Sequence, residues 1–415
     1  MTAKDKKTVY HILILGLLSA IGPFSIDMYL PGFPAIAKDL HTSVGQVSLS
    51  LSSFFIGISA GQFLYGPLLD RFGRKRPLYI GLTIYVLASV GCAFSTSVNA
   101  LIMLRFLQAL GSCAGMVASR AMVRDLFPVK DNAKVFSMLM LVIGVSPIIA
   151  PTLGGYLSAA FGWKYIFILL ACMVAAILAA VHFTLAETRA PDTSLSLKPV
   201  PIIKNFVAVF KDPQFYTYAF TGAVSSAGLY AYIAGSPYVF MELFHVSGKQ
   251  YGWIFALIAM GLIGASQLNS VLLRNYESRQ IIKVALLCQS VTGACLFIGT
   301  ATGLLELFST IFFIFIFLSC QGFTFPNSSA LSLAPFSRNA GSASALLGGI
   351  QMSIGAFTSA LVSLLHNGTA LPMTGIMACC ALLSFIIVMV GNRIIRYRAS
   401  MSAVEEQSAD MMGSS

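Results

Sequence analysis

Two ionisable side chains, those of Asp27 and Arg105, fall inside long apolar stretches of this sequence. A charged group within a lipid bilayer is costly, so a chain that keeps one there usually uses it. Burial favours the protonated form of a carboxyl group, whereas a nearby arginine favours the ionised form. Asp27 could therefore exchange a proton for a cationic substrate. The alternative is a buried ion pair with Arg105 that only fixes helix packing.

If both residues lie within a bilayer, the chain must be a membrane protein, and its composition indicates that it is. The 415 residues are 57% hydrophobic and 10% charged, with a mean hydropathy of +0.82, whereas soluble domains carry about 25% charged residues. A spanning helix needs about 20 mostly apolar residues. Twelve such stretches occur, at residues 9–30, 47–68, 77–96, 100–122, 134–158, 164–185, 215–237, 251–272, 281–302, 304–327, 341–364 and 373–394. The sequence thus predicts an all-α membrane protein with twelve transmembrane helices.

The lysines and arginines indicate how these helices are oriented. With a cytoplasmic N-terminus, 22 of the 26 fall in cytoplasmic segments, three fall on the opposite side, and Arg105 lies within a helix. Cytoplasmic loops of membrane proteins carry such an excess. The asymmetry predicts a multi-pass protein of the inner (cytoplasmic) membrane with both termini in the cytoplasm. It also accounts for the net charge of +11 without a nucleic-acid partner.

A polar segment with four prolines separates two groups of six helices. The predicted organisation is a six-helix bundle at residues 1–186, a cytoplasmic linker at 187–213, a second bundle at 214–394 and a disordered cytoplasmic tail at 395–415. Two pseudo-symmetric halves of this kind are typical of secondary transporters.

Asp27 and Arg105 are predicted to lie at similar depth. Asp27 comes about four residues before the first span ends, and Arg105 about five residues after the fourth span begins, on the same side of the membrane. At 1.5 Å per residue, both lie roughly 6–8 Å below the outer surface. We therefore expect the two side chains to face one cavity.

Other intramembrane side chains could line that cavity. The candidates are four aromatic residues and three amides: Phe24, Tyr29, Tyr230, Tyr232, Gln62, Asn327 and Gln351. Each has a plainer alternative, because aromatic rings also form interfacial belts and amides also form hydrogen bonds between helices.

Other chemistries have little support in the sequence. No Walker-type G-x-x-x-x-G-K-[ST] segment is present, which argues against ATP hydrolysis. The eight cysteines and five histidines show no metal-ligand spacing. Neither a metal nor another cofactor is predicted, and a proton gradient would supply the energy.

The loop after the second span reads Gly66-Pro-Leu-Leu-Asp70-Arg71-Phe-Gly73-Arg74-Lys75-Arg76. It resembles the signature between helices 2 and 3 of the major facilitator superfamily, G-x-L-x-D-R-x-G-R-K/R. The resemblance implies a gating loop in which Asp70, Arg71 and Arg74 form a conformational latch between the halves and do not bind substrate. The alternative is that the basic cluster only sets the topology.

Two more segments are similar to motifs of this superfamily. The fourth span reads Leu101-Ile-Met-Leu-Arg105-Phe-Leu-Gln108-Ala-Leu-Gly111 and looks like the fourth-helix motif, whose arginine is associated with proton coupling. The fifth span reads Gly144-Val-Ser-Pro147-Ile-Ile-Ala150-Pro151-Thr-Leu-Gly154-Gly155 and resembles the antiporter motif G-P-x-x-G-G, with Ala150 in place of the first glycine. Importing relatives usually lack this motif, which favours efflux. A helix kink without directional meaning is the alternative.

Three stretches narrow the resemblance to the bicyclomycin-resistance (Bcr/CflA) branch of drug/proton antiporters: Phe24-Ser-Ile-Asp27-Met-Tyr29-Leu-Pro31, Phe325-Pro326-Asn327 and Ala343-Ser-Ala-Leu-Leu-Gly-Gly-Ile-Gln351. The first-helix aspartate of that branch is a candidate protonation and substrate site, and Asp27 matches it. The resemblance implies a monomer that exports small, amphipathic or cationic compounds by alternating access, in exchange for protons. The alternatives are a proton symporter that imports a small metabolite and, from another class, a multi-span enzyme or receptor.

Overall fold

The structure is a computed structural model that describes residues 3–127, 129–192, 206–336 and 340–413. Over these residues the chain is mostly helical and contains no strand. The main helices are α1 Ala3–Asp27, α2 Phe33–Asp39, α3 Val44–Phe72, α4 Lys75–Ala93, α5 Val98–Leu126, α6 Val129–Phe161, α7 Lys164–Thr184, α8 Pro213–Pro237, α9 Gly248–Leu272, α10 Ser278–Ala301, α11 Leu307–Leu333, α12 Ala340–Leu364 and α13 Leu371–Gly413. A 3₁₀ turn at Leu30–Gly32 precedes α2, and a π-helical turn at Tyr238–Leu243 follows α8. The predicted all-α membrane fold is confirmed.

Eleven helices in the described part of the chain are long and apolar enough to cross a membrane. The twelfth predicted span is α8, which is rich in serine, threonine, tyrosine and glycine. Most of its residues are buried, because α8 lies among α3, α11, α12 and α13. A helix that protein surrounds does not need an apolar surface toward lipid. The polarity of α8 therefore fits its place at the centre of the molecule.

The helices form two bundles of six spans, α1 to α7 and α8 to α13, in which α1 and α2 together make the first span. In the first bundle, α3 and α4 both pack on α5; in the second, α12 and α13 both pack on α8. The main contacts between the bundles join α3 to α12 and α6 to α9. The predicted domain limits at residues 186 and 214 stay a prediction, and linker residues 193–205 lie outside the described residues.

The first span is interrupted directly after Asp27, where α1 ends. Two prolines follow: Pro31 lies in the 3₁₀ turn and Pro34 lies in the first turn of α2. Proline is favoured at a helix start but cannot continue a preceding helix. The span is therefore longer than predicted, since α2 carries it from residue 30 to Asp39. Asp27 thus lies at a helix terminus and not within a continuous helix.

Two other boundaries differ from the prediction. The helix α5 continues to Leu126, four residues beyond the predicted span, so Arg124 lies on the helix and not in a loop. The helix α13 continues to Gly413, although the tail from residue 395 is predicted to be disordered. Residues 399–412 contain no proline or glycine and include alanine, glutamate, glutamine and methionine. These are good helix formers, so the helix can propagate beyond its apolar part.

Candidate functional site

The Asp27 side chain is buried at the junction of the two bundles. It is 5% exposed, and none of the described residues gives its carboxyl group a hydrogen bond or an ion pair within 4 Å. The hydroxyl groups of Tyr232 on α8 and Tyr251 on α9 lie within electrostatic range of it. Burial and the carbonyl end of a helix both disfavour a negative charge. The Asp27 carboxyl group thus has no partner for a negative charge among the described residues in this conformation.

Arg105 occupies an enclosed pocket inside the first bundle and is 0% exposed. Its guanidinium group donates hydrogen bonds to Gln108 Oε1 at 2.6 Å and to the backbone carbonyl of Ser25 at 3.1 Å. Its Cζ lies 4.2 Å from the ring centroid of Phe54 and 4.6 Å from that of Tyr29. A cation over aromatic faces is stabilised by the ring quadrupoles. The aromatic cage and two acceptors thus hold this buried charge.

The structure does not pair Arg105 with Asp27. Arg105 binds the carbonyl of Ser25, two residues before Asp27, so the predicted similarity in depth agrees with this contact. The two side chains point to different surroundings, one inside the first bundle and the other toward the second. The alternative of an ion pair is not met in this conformation, and the shared cavity stays a prediction.

The other candidate cavity residues are scattered. Tyr29 belongs to the Arg105 pocket, where its hydroxyl pairs with Ser50 Oγ at 2.8 Å. Tyr230 crosses between the bundles, with its ring 4.8 Å from that of Phe55. Phe24 is partly buried.

The three amide side chains differ in how many of their hydrogen-bonding groups have a partner. Asn327 donates to Asn269 Oδ1 at 2.6 Å, which links α9 and α11, so the helix-bonding alternative describes it well. Gln62 on α3 is buried opposite Gly348 on α12, at the contact between the bundles. The Nε2 atom of Gln351 is buried without a hydrogen-bond partner. Gln351 therefore keeps a buried donor nitrogen available for a further bond.

The two bundles close on each other at the end of the molecule opposite the chain termini, called the distal end below. There Ser48 Oγ donates to the carbonyl of Ala234 at 3.1 Å. Farther toward the middle, the hydroxyl groups of Ser52 and Ser359 are 2.9 Å apart. These two hydrogen bonds join α3 of the first bundle to α8 and α12 of the second in this conformation.

The glycines of the fifth-span motif belong to the distal closure. A side chain at Gly154 would collide with the backbone of Met28, and one at Gly155 would collide with the backbone of Gly248 on α9. Pro147 and Pro151 lie within α6, and a side chain at Gly144 would meet only ordinary contacts. The last two glycines of the motif therefore allow α6 to approach α1 and α9 closely.

Replacement of Gly155 by alanine should weaken the distal closure. Overpacking of this kind costs about 1–3 kcal/mol, which corresponds to a roughly 5- to 150-fold shift of a two-state equilibrium. We expect Ser48→Cys to react faster with maleimide in a Gly155→Ala background, measured by peptide mass spectrometry on purified protein. Gly264→Ala on α9 is the control, since a Cβ there has no neighbour within 4 Å. If Ser48→Cys reacts equally fast in the Gly155→Ala and Gly264→Ala backgrounds, Gly155 does not contribute to the distal closure.

The gating-loop motif forms a charged cluster at the end that carries the termini. Arg74 donates to Asp125 Oδ2 at 2.8 Å and to Asp70 Oδ1 at 2.7 Å. Burial opposes the charge of Arg74, but these two hydrogen bonds outweigh burial and hold its pKa above the usual value. Arg189 reaches Asp70 at 3.4 Å. These bonds join α3, α5 and the segment after α7, and the latch to the second bundle stays a prediction.

Gly73 connects this cluster to the chain that follows α7. Its φ of +82° is a conformation that side chains rarely allow, and a Cβ would approach Glu187 Oε2 at 2.9 Å. Glu187 accepts hydrogen bonds from the backbone N–H groups of Arg74 and Lys75 at 2.7 and 3.1 Å. Its negative charge thereby neutralises the partial positive charge at the start of α4. Gly66 has open space around it, and the Arg71 guanidinium lies 5.7 Å from the Phe72 ring.

Sequence reasoning missed several partners. Gln108 could have been found, because a polar residue three positions after a buried arginine shares its helix face. Asp125, Glu187 and Tyr251 are brought to their sites only by the fold, and no local pattern marks them.

Sequence comparison places these features in a known context. A profile of the Major Facilitator Superfamily matches residues 15–360. An uncharacterized MFS-type transporter of Bacillus subtilis (strain 168), YdgK, is 33% identical over 374 residues, covering 90% of this chain and 92% of that protein. A bicyclomycin resistance protein homolog of Haemophilus influenzae is 32% identical over 383 residues, covering 92% and 96%. Multidrug resistance protein MdtL of Escherichia coli is 30% identical over 370 residues, covering 88% and 92%.

Solved structures share the fold at low sequence identity. A bacterial homolog of the human lysosomal transporter Spinster, in an inward-facing and unoccupied conformation, matches with a TM-score of 0.71 at 14% identity and covers 93% of this chain and 95% of that chain. A D-xylose-proton symporter matches with a TM-score of 0.70 at 13% identity, covering 92% and 97%.

Proposed function

Because this chain belongs to the major facilitator superfamily, we propose that it is a proton-coupled antiporter that exports small, amphipathic or cationic compounds. The observation that carries the proposal is Asp27, a buried carboxyl group at the junction of the two bundles that has no cationic partner among the described residues. A group placed there can hold a proton in one conformation and a cation in another. The names of two relatives, for bicyclomycin and multidrug resistance, favour drugs as the substrate class.

The excess of lysine and arginine favours the distal end as the periplasmic side of the cytoplasmic membrane. The conformation described here would then face the cytoplasm, as a monomer with both termini inside. In this state Asp27 releases its proton and accepts a substrate. After the bundles rock and the distal end opens, a periplasmic proton displaces the substrate, and the protonated carrier returns.

Arg105 would influence this cycle through the backbone of α1 and not through an ion pair. Its bond to the Ser25 carbonyl fixes the last turn of α1, which carries Asp27. The gating loop around Asp70 would latch the bundles in the opposite conformation, when the end that carries the termini closes. Both roles follow from the resemblance of these residues to the family motifs.

A proton symporter is the rival within the same fold, as the structural match to a D-xylose-proton symporter illustrates. Two observations favour export over it. The fifth span carries the antiporter-like motif at Gly144 to Gly155, and the sequence relatives named above include resistance proteins.

Everted membrane vesicles provide the test. Respiration acidifies the vesicle interior, which corresponds to the periplasm, and bicyclomycin added outside stands on the cytoplasmic side. If the chain is an antiporter, bicyclomycin or a member of a drug panel should release protons from the interior, which a pH-sensitive dye reports. Vesicles without the protein are the control. A symporter would give no such release, and that result across the panel would overturn the proposal.

A further inference from the structure

A groove opens between α9 and α10 of the second bundle. Its volume is about 380 Å³, and Cys320 and Phe323 of α11 form its floor. The groove exists because α9 and α10 both pack on α11 much more closely than on each other. Its lining surface is entirely apolar. The volume lies within the range of ligand pockets in proteins, so the groove is large enough to hold a bound molecule.

The groove faces the lipid bilayer. The side of α10 that borders it carries exposed apolar residues at helical spacing along its length: Val284, Leu287, Val291 and Ile298. Apolar side chains at this spacing share one face of a helix, and in a membrane such an exposed face contacts lipid chains. From Gln280 to Cys288, which both line the groove, the distance along the helix axis is about 12 Å at 1.5 Å per residue. Because the hydrocarbon core is about 30 Å thick, the groove extends through most of one leaflet.

Polar groups lie at the mouth of the groove, in and beside the turn between α9 and α10. Arg274 lies in this turn and is exposed, and no ion pair joins it to an acidic side chain among the described residues. The Gln280 side chain accepts a hydrogen bond from the backbone N–H of Glu277 through its Oε1 atom at 3.2 Å, so its NH₂ group remains as a donor. The mouth thus offers a guanidinium group and an amide, and both can bind phosphate oxygens.

The surroundings of the mouth carry an excess of positive charge. Arg279 and Lys283 follow Arg274 within ten residues, and Glu277, the N-cap residue of α10, is the single acidic residue between positions 274 and 283. An arginine binds a phosphate group through two parallel hydrogen bonds, whereas a zwitterionic headgroup would bring a further cation to this cationic surface. The charge distribution therefore favours an anionic lipid over a zwitterionic one.

We propose that this groove binds one anionic phospholipid from the leaflet on the side of the chain termini. An acyl chain lies between α9 and α10, and the phosphate group lies at Arg274 and Gln280. The acyl chain covers apolar surface, and the headgroup supplies the negative charge that Arg274 lacks among the described residues. The bound lipid bridges two helices of the second bundle that pack little on each other. This site depends neither on the direction of transport nor on its coupling to protons.

Native mass spectrometry of the purified full-length chain, titrated in detergent with dioleoyl phosphatidylglycerol, tests this assignment. Val284→Trp places a large ring in the groove at a position that is 69% exposed, so the fold should tolerate it. We expect this variant to lose one tightly bound phosphatidylglycerol molecule. Arg274→Gln should bind that molecule about 10- to 100-fold more weakly, the effect of one hydrogen bond to a charged group.

Each variant has a matched control outside the groove. Val291→Trp lies two turns later on the same face of α10 and is 56% exposed. Arg393→Gln removes another exposed arginine of the second bundle, on α13. Both controls should bind phosphatidylglycerol as the wild type does. A wild-type number of bound lipids in Val284→Trp, or wild-type affinity in Arg274→Gln, would overturn the assignment.

Alkylation of two cysteines on α10 locates the bound lipid. Cys288 lines the groove, and Cys295 is exposed seven residues later on the same face, outside the groove. Phosphatidylglycerol should slow the reaction of Cys288 with N-ethylmaleimide relative to that of Cys295, as followed by peptide mass spectrometry. Phosphatidylcholine at the same concentration should slow it much less. If the two lipids have equal effects on Cys288, the groove does not select an anionic headgroup and the proposal is wrong.

Discussion

Asp27→Asn should abolish export that depends on a proton gradient. An amide has nearly the shape of a protonated carboxyl group, so the buried site is filled but can no longer titrate. We expect proton release from everted vesicles to fall about 100-fold, the upper range of typical coupling between two ligands. Protein abundance should not fall, because a neutral amide costs less to bury than a carboxylate.

The gradient-driven assay should be paired with one that needs no gradient. Exchange of labelled for unlabelled substrate across the membrane requires substrate binding and rocking of the bundles but no net proton movement. It therefore shows whether binding and the conformational change are intact in the variant. Asp39→Asn is the matched control: Asp39 lies on the same span, its side chain is 47% exposed, and its bridge to Lys164 at 3.4 Å is a surface pair of little energetic value. Resistance and proton release at wild-type levels in Asp27→Asn, with equal abundance, would exclude Asp27 as the coupling group.

A disulfide between Ser52→Cys and Ser359→Cys should stop transport completely and reversibly. The two hydroxyl groups lie 2.9 Å apart on α3 and α12, which belong to different bundles. A covalent bond there would hold the bundles together on the distal side, and alternating access requires that they separate. We expect oxidation to block the proton-exchange signal and a reducing agent to restore it.

The corresponding control uses a pair within one bundle. Ser19 and Ser119 join α1 and α5 with hydroxyl oxygens 2.5 Å apart, and both move with the first bundle. A Ser19→Cys/Ser119→Cys bond should leave transport unaffected, as should each single replacement. Retained transport by a fully oxidised Ser52→Cys/Ser359→Cys protein would mean that the α3–α12 contact does not open during the cycle.

The sequence predicts the spans and the depth of the two intramembrane charges well, because both depend on properties that are local in the chain. Hydrophobic length identifies a span regardless of its neighbours. The rise of 1.5 Å per residue then places Asp27 and Arg105 at the same level, and the bond from Arg105 to Ser25 agrees with that estimate.

The direction of each side chain could not be predicted in the same way. Arg105 was expected to face Asp27, but its partners Ser25 and Gln108 lie within the first bundle. Asp27 has no hydrogen-bond or ion-pair partner among the described residues, and the tyrosines within its electrostatic range, Tyr232 and Tyr251, are about 200 or more positions away in the chain. Contacts between distant positions depend on how helices rotate and pack, and hydropathy holds no information on rotation. The break after Asp27 is not predicted, because the predicted span continues to residue 30 and ends just before the two prolines, Pro31 and Pro34.

The polarity of α8 has a consequence for how the protein is made. A helix rich in serine, threonine and glycine gains little from entering lipid alone. The insertion machinery releases helices in order of synthesis, so α8 emerges when its later partners α11, α12 and α13 do not yet exist. Of its final neighbours, α3 and the 3₁₀ turn at Leu30–Gly32 are already in the membrane. We therefore expect α8 to contact the first bundle before the rest of the second bundle is complete.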